Sequence, residues 1–234
     1  MIKLIKLEWK KNNIAKYIRN AIILDALLGL FIFALAFLGI ANDPDGTLDA
    51  AEGLDAISSS IELFTSMSFL IFTSVMLSSF IVSAYKNKTM NLMFSYPIKR
   101  QKILASQMLA VWIFNFSALV LTKLALYLCV YAGSKSMPSS FLIDFNMGSL
   151  SFYIQLILKS MVTVSMSFIA LFAGMIKKSS KTTIVTSFLL IFLTQANVGD
   201  LTLRDNAIFP VGLTALSLLF AVLSICNAEK KDLF

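Results

Sequence analysis

Three ionisable side chains, Asp25, Lys123 and Lys159, stand inside long apolar runs of the chain. A charge at the centre of a bilayer costs roughly 2.5–3.5 kcal/mol on insertion scales, so each needs a partner or a purpose. Lys123 and Lys159 lie on the order of 12–14 Å from the nearer ends of their runs, counting 1.5 Å per helical residue. That matched depth leaves two alternatives. The two ammonium groups can form a shared positive site for acidic groups on a passing substrate. Alternatively, each can snorkel towards Glu62, Asp144 or lipid phosphates. Asp25 lies one turn inside its run, near Arg19, a position suited to a local ion pair. The chain has no histidine, which removes Ser-His triads, His-ligated zinc and histidine proton shuttles. Without histidine or paired aspartates, neither an intramembrane hydrolase nor a metal site is expected.

The elements that must position these groups are membrane helices. Of 234 residues, 58% are hydrophobic and 14% charged, against about 45–50% and 25% in soluble domains. Six runs approach the roughly 20 apolar residues a spanning helix needs: about 21–41, 61–84, 103–131, 150–176, 182–199 and 207–226. The fifth is the shortest. The expected fold is therefore an all-α membrane protein with six transmembrane helices in a single transmembrane domain. The net charge of +7 bears on sidedness, not on nucleic acid. Lys3, Lys6, Lys10, Lys11, Lys16 and Arg19 precede the first run; Lys86, Lys88, Lys99, Arg100 and Lys102 follow the second. Lys177, Lys178 and Lys181 follow the fourth, and Lys230 and Lys231 the sixth. The opposite connections carry only Lys135 and Arg204 among Asp43, Asp45, Asp49, Glu52, Asp55, Glu62, Asp144, Asp200 and Asp205. The positive-inside rule then puts both termini in the cytoplasm.

Residues 1–19 read as an amphipathic interfacial helix. Lys3, Lys6 and Lys10 form a basic stripe beside Ile2, Ile5 and Trp9, suited to an anionic leaflet with Trp9 at headgroup depth. The connection between the second and third runs reads YKNKTMNLMFSYPIKRQKILASQ over 85–107. Residues 87–95 can form a short helix showing Met90, Met93 and Phe94, stopped at Tyr96 because the residue before Pro97 is pushed out of helical geometry. An apolar tip flanked by Lys99, Arg100 and Lys102 suits docking into a groove on a cytoplasmic partner, with adaptable methionines filling it. An ordinary positively charged loop is the alternative.

The run from Lys88 and Thr89 through Phe94-Ser95-Tyr96-Pro97-Ile98-Lys99-Arg100 to Leu104 resembles the loop of type-2 ATP-binding-cassette permeases. It looks most like the small Gram-positive permeases that handle bacteriocins, bacitracin-like antibiotics and cytolytic, phenol-soluble-modulin-like peptides. The likeness extends to the whole layout: amphipathic start, six runs, large first outer loop, and this connection after the second run. Two positions depart from it. Ala84 and Tyr85 stand where the family often has a Glu, and Lys88 where a Gly often precedes the Thr. The resemblance implies a cytoplasmic coupling helix, with Thr89, Met90, Met93, Phe94, Ser95, Tyr96, Pro97, Lys99 and Arg100 as its ATPase-coupling residues.

A chain of this family is the permease subunit of a bacterial cytoplasmic-membrane exporter. The resemblance implies two copies of a separate ATPase, a second permease chain (identical or different), and an amphipathic peptide as cargo, exported or cleared for immunity. ATP and magnesium would belong to the ATPase. This chain is expected to bind no cofactor, since a phosphate-cradling loop needs two glycines five apart, and none of its nine glycines has such a partner. The rival expectation is a stand-alone membrane protein. It would be an ion-coupled transporter using Asp25, Lys123 and Lys159, or an immunity protein that binds an incoming toxin.

Spans two and four are rich in hydroxyls, from Ser66 to Ser83 and from Ser160 to Ser167. Ser74/Ser78 and Ala170/Gly174 have the spacing that lets helix backbones approach. Cys129 and Cys226 fall at opposite membrane faces, about 30 Å apart, far beyond the roughly 7 Å a disulfide spans. Both thiols should therefore react with maleimide without prior reduction, and non-reducing electrophoresis should show no intrachain bridge.

Overall fold

The computed structural model describes residues 2–37, 57–86, 100–136, 147–177, 179–195 and 208–230. Among them every regular element is helical: α1 (Ile2–Lys11), α2 (Ile14–Phe37), α3 (Ile57–Leu77), α4 (Arg100–Ser136), α5 (Leu150–Ile176), α6 (Ser180–Gln195) and α7 (Ile208–Lys230). Helix α3 continues through a π-helical turn, Ser78–Val82, into a last α turn, Ser83–Lys86.

Four stretches are long and apolar enough to cross a bilayer: Ile14–Leu35, Ile57–Val82, Gln101–Lys135 and Leu150–Ile176. Two shorter apolar helical stretches, Ser180–Phe192 and Gly212–Ile225, follow. Helix α2 shows why water cannot be the solvent here. Only a thin stripe, Ala21, Leu28 and Ile32, turns inward, while Ile22, Ile23, Leu27, Leu30, Phe31 and Phe33 are exposed. A helix apolar all round belongs in a core or a membrane. The chain is a helical membrane protein.

Two compact units make up the described structure. One comprises residues 15–68 and 117–160. Its core joins Leu28 and Ile32 of α2, Ile57 and Ile61 of α3, Leu126, Tyr127 and Val130 of α4, and Leu156 of α5. Edge-to-face ring pairs, Phe31–Phe64 and Tyr127–Phe152, each with centroids 4.8 Å apart, close it. Such pairs add about 0.5–1.5 kcal/mol beyond area burial.

The other unit comprises residues 1–14, 69–116 and 161–234. Phe69, Met76, Leu77, Ile81, Leu104, Val111, Val164 and Leu171 are almost wholly buried, and the π-helical turn packs against α6. The Trp112 indole stacks on Phe116 and donates to the Ser165 hydroxyl at 3.3 Å.

In this unit α1 is a separate helix that ends at Lys11, shorter than the 1–19 expected from charge periodicity. Asn13 adopts φ 50°, a left-handed conformation that asparagine tolerates better than most residues and that terminates helices. The Asn12 side chain donates to the Glu8 carbonyl at 3.1 Å and to the Glu8 carboxylate at 3.3 Å, satisfying the frayed end. The apolar stripe also behaves differently from a simple lipid-facing one. Ile5 is buried, and the Trp9 indole N–H donates to the Ala110 carbonyl of α4 at 3.0 Å. A desolvated indole needs an acceptor, and α4 supplies it. Lys3, Lys6, Lys10 and Lys11 remain exposed, along with Ile2 and Leu7.

The small-residue spacing in α5 has a direct structural consequence. A Cβ on Gly174 would collide with the Thr183 hydroxyl and lie 3.0 Å from the Thr183 Cβ. Bare backbone at Gly174 is what allows α6 to return against α5 after a connection spanning 177–179. The Ser179 N–H reaches back to the Gly174 carbonyl at 3.1 Å, closing the end of α5. Gly174→Ala should destabilise the detergent-solubilised protein by about 1–3 kcal/mol through overpacking, read as a lower thermal midpoint. Adding Thr183→Ala should recover part of that loss.

Candidate functional site

Helix α4 buries a continuous stripe over its second half: Leu119, Thr122, Lys123, Leu126, Tyr127 and Val130. The spacing is that of one helical face turned to a core. Lysine 123 occupies a position in that stripe where leucine would ordinarily stand, and it is 0% exposed. The Lys123 Nζ meets the Glu62 Oε1 of α3 at 2.6 Å. Glu62 keeps 22% of its side-chain surface exposed.

The surroundings commit the remaining polar groups locally. The Thr122 hydroxyl lies 2.7 Å from the Asp25 Oδ1 of α2 and 2.8 Å from the Ala118 carbonyl. One hydroxyl proton serves one of these acceptors at a time. The Thr65 hydroxyl donates to the Ile61 carbonyl at 2.6 Å, and the Ser66 hydroxyl to the Glu62 carbonyl. Lys159 of α5 is exposed, yet close enough to repel Lys123 electrostatically. Two acids and two bases thus share one unit, with the innermost base already paired.

The energetics decide what such a pair can do. At 2.6 Å and an effective dielectric near 20, the attraction is roughly 6 kcal/mol. Desolvation costs several kcal/mol per ion, so the net stabilisation is small. Losing one partner is another matter, because it strands the other charge. The pair therefore acts as a clamp between α3 and α4, and it fixes which faces of those helices meet.

Several groups singled out by their sequence positions can now be located. Asp25, expected to form a local ion pair near Arg19, lies 2.7 Å from the Thr122 hydroxyl of α4. Lys123 and Lys159 share a unit, but only Lys123 is buried. Thr89, Met90, Met93, Phe94, Ser95, Tyr96, Pro97 and Lys99 lie outside the described residues, and Arg100 opens α4. Cys129 is a free, exposed thiol. No group of three His, Cys, Asp or Glu side chains able to hold a metal occurs among the described residues.

Most of the hydroxyls serve helix packing. Thr73 donates to the Phe69 carbonyl at 2.6 Å, Ser160 to the Leu156 carbonyl at 2.7 Å, and Ser167 to the Val164 carbonyl at 2.6 Å. Back-bonding to their own helix lets them sit in apolar surroundings. Sequence reasoning passes over two side chains, Gln107 and Asn115, both fully buried on α4 in the other unit. The signal was available: primary amides in the apolar run 103–131 cannot back-bond as fully as hydroxyls do.

No family model matches this chain. It is 27% identical over 237 residues to a Bacillus subtilis (strain 168) protein named only as the uncharacterized protein YcbO. The match covers 99% of this chain and 100% of that relative. No solved structure matches.

Glu62→Gln should cost about 3–5 kcal/mol in thermal unfolding of the solubilised protein, since it strands the fully buried Lys123 ammonium. Lys123→Met combined with Glu62→Gln should recover much of that loss. Equal instability of the single and double variants would show that the pair is not the clamp.

Proposed function

We propose that the chain is the membrane-spanning permease subunit of an ATP-driven exporter in a bacterial cytoplasmic membrane, moving amphipathic peptides. The observation that carries this proposal is the run Thr89–Arg100 between two apolar segments, with its Met/Phe tip, its Ser95-Tyr96-Pro97 stop and its basic flank. Support for the setting comes from the helical membrane architecture, and from Arg100 opening α4 a few residues after that stop.

In this scheme the two shorter apolar helices, α6 and α7, complete six spans, and both termini face the cytoplasm. Helix α6 has 16 residues, about 24 Å, against a hydrocarbon thickness of about 30 Å. Local thinning or flanking polar anchors accommodate such a shortfall. Helix α1, held by Trp9 and presenting four lysines, lies on the anionic inner leaflet. A separate ATPase dimer closes on ATP, and the 87–99 segment passes that motion to α3 and α4. Two permease chains then rock against each other, and the peptide leaves the cytoplasm or the bilayer.

A second reading, an ion-coupled stand-alone transporter, draws on one specific observation: the Lys123–Glu62 pair inside the apolar region. Charged groups there often mark ion pathways. The two readings part in a single experiment. Co-expressed with ATPases from the same cell, the chain should retain one of them through detergent purification and stimulate its hydrolysis when amphipathic peptide is added. Arg100→Ala or Pro97→Ala should weaken that association roughly tenfold or more, as loss of an interface anchor does, while membrane insertion stays intact. Peptide movement that follows a proton gradient and needs no ATPase would overturn the exporter.

A further inference from the structure

The unit containing residues 69–116 holds two fully buried primary amides on α4. Gln107 is 0% exposed, and neither its Nε2 nor its Oε1 has a hydrogen-bond partner among the described residues. Asn115, also 0% exposed, donates through Nδ2 to the Val111 carbonyl at 2.9 Å and to the Met76 Sδ at 3.3 Å, while its Oδ1 has no partner there. A primary amide offers two donors and two acceptor lone pairs. Among the described residues Gln107 therefore leaves its whole capacity unused, and Asn115 its acceptor half. About nine in ten buried polar groups find partners. In this unit Thr73, Ser106, Ser167 and Ser217 do so by bonding to their own helix, while the Ser74, Thr183 and Ser224 hydroxyls, like the amides, have no partner among the described residues.

The placement of the two amides is ordered. Eight residues separate them, about 12 Å of rise and 80° of rotation, so they lie on one broad face of α4. Gln107 stands about 10 Å from the start of the helix at Arg100, and Asn115 about 22 Å from it. The exposed Lys102 marks that end as the one nearer water. Unpaired amides stepping inward from a charged helix end match the requirements of bound water, which donates and accepts in the same small volume and needs two to four polar partners.

We propose that Gln107 and Asn115 are the fixed points of a water track that runs along α4 from its Arg100 end into the interior of this unit. The ligand is water itself, held by amide carbonyls and N–H groups. The track gives polar groups a hydrogen-bonding environment more than a third of the way into a roughly 30 Å hydrocarbon layer. This inference does not rest on the exporter proposal and holds for any transport mechanism.

The test uses the full chain in native membrane vesicles, with Cys129→Ser and Cys226→Ser as background. Single cysteines replace Gln107, Asn115 and, as equally buried controls, Ala110 and Val164. N-ethylmaleimide reaches thiols from lipid and water alike but reacts with the thiolate, which forms only where water solvates it. Cysteines at 107 and 115 should react about tenfold or more faster than those at 110 and 164. Hydrogen–deuterium exchange of the unmodified chain gives a second readout without substitution. Backbone amides of the buried residues Ser106, Gln107, Met108, Ala110 and Val111 should exchange faster than those of the buried residues Thr163, Val164, Ser165, Met166 and Ser167. Thiols as inert as the controls, or exchange in α4 no faster than in α5 when the variants fail to insert, would overturn the track.

Discussion

A lysine that cannot reach water must find an acid, and Lys123 finds Glu62 at 2.6 Å. The rest of that unit follows from this constraint. For the ammonium to sit at a core position of α4, the first turns of α3 must face it, which turns Ile57 and Ile61 towards Leu126 and Val130. With those faces fixed, Thr122 points to Asp25 of α2, and the ring pairs Phe31–Phe64 and Tyr127–Phe152 seal the remaining gaps. Apolar packing among lipid-like helices discriminates poorly between rotational settings, because one leucine face resembles another. A buried pair of opposite charges discriminates sharply.

Much of the architecture was legible in the residue pattern. The long apolar runs predict where α2, α3, α4 and α5 stand, since twenty apolar residues in sequence have few other uses. Helix α5 matches its expected limits, while α2 begins at Ile14, seven residues before the expected run. The ends were less legible. Helix α4 runs from Arg100 to Ser136, several residues beyond the apolar run at each end, because nothing breaks a helix between Arg100 and Ser136 once it enters the interface. Helix α1 stops short because of Asn12-Asn13, a local signal that the regular spacing of Lys3, Lys6 and Lys10 obscured.

The candidate site was half legible. Lys123 and Lys159 stand out in any reading of charge, and Glu62 was visible as one of the acids within reach of them. What the sequence alone could not decide is direction. Lysines at matched depth can face each other, lipid or an acid, and only the rotations of α4 and α5 select Glu62 for Lys123 and exposure for Lys159. The hydroxyls illustrate the opposite case. Their spacing pointed to close helix packing, and Thr73, Ser160 and Ser167 return their protons to their own backbones. The amides, rarer and less conspicuous, keep hydrogen-bonding capacity in reserve.

The π-helical turn at Ser78–Val82 carries a consequence of its own. It winds one extra residue into α3, so whatever follows leaves the helix about 100° away from where an uninterrupted α-helix would send it. Taking up or releasing that residue would swivel the chain beyond Val82 like the bit of a ratchet screwdriver, while the buried portion above stayed seated. A rigid rod can only push or tilt; a rod with slack wound into it can also twist.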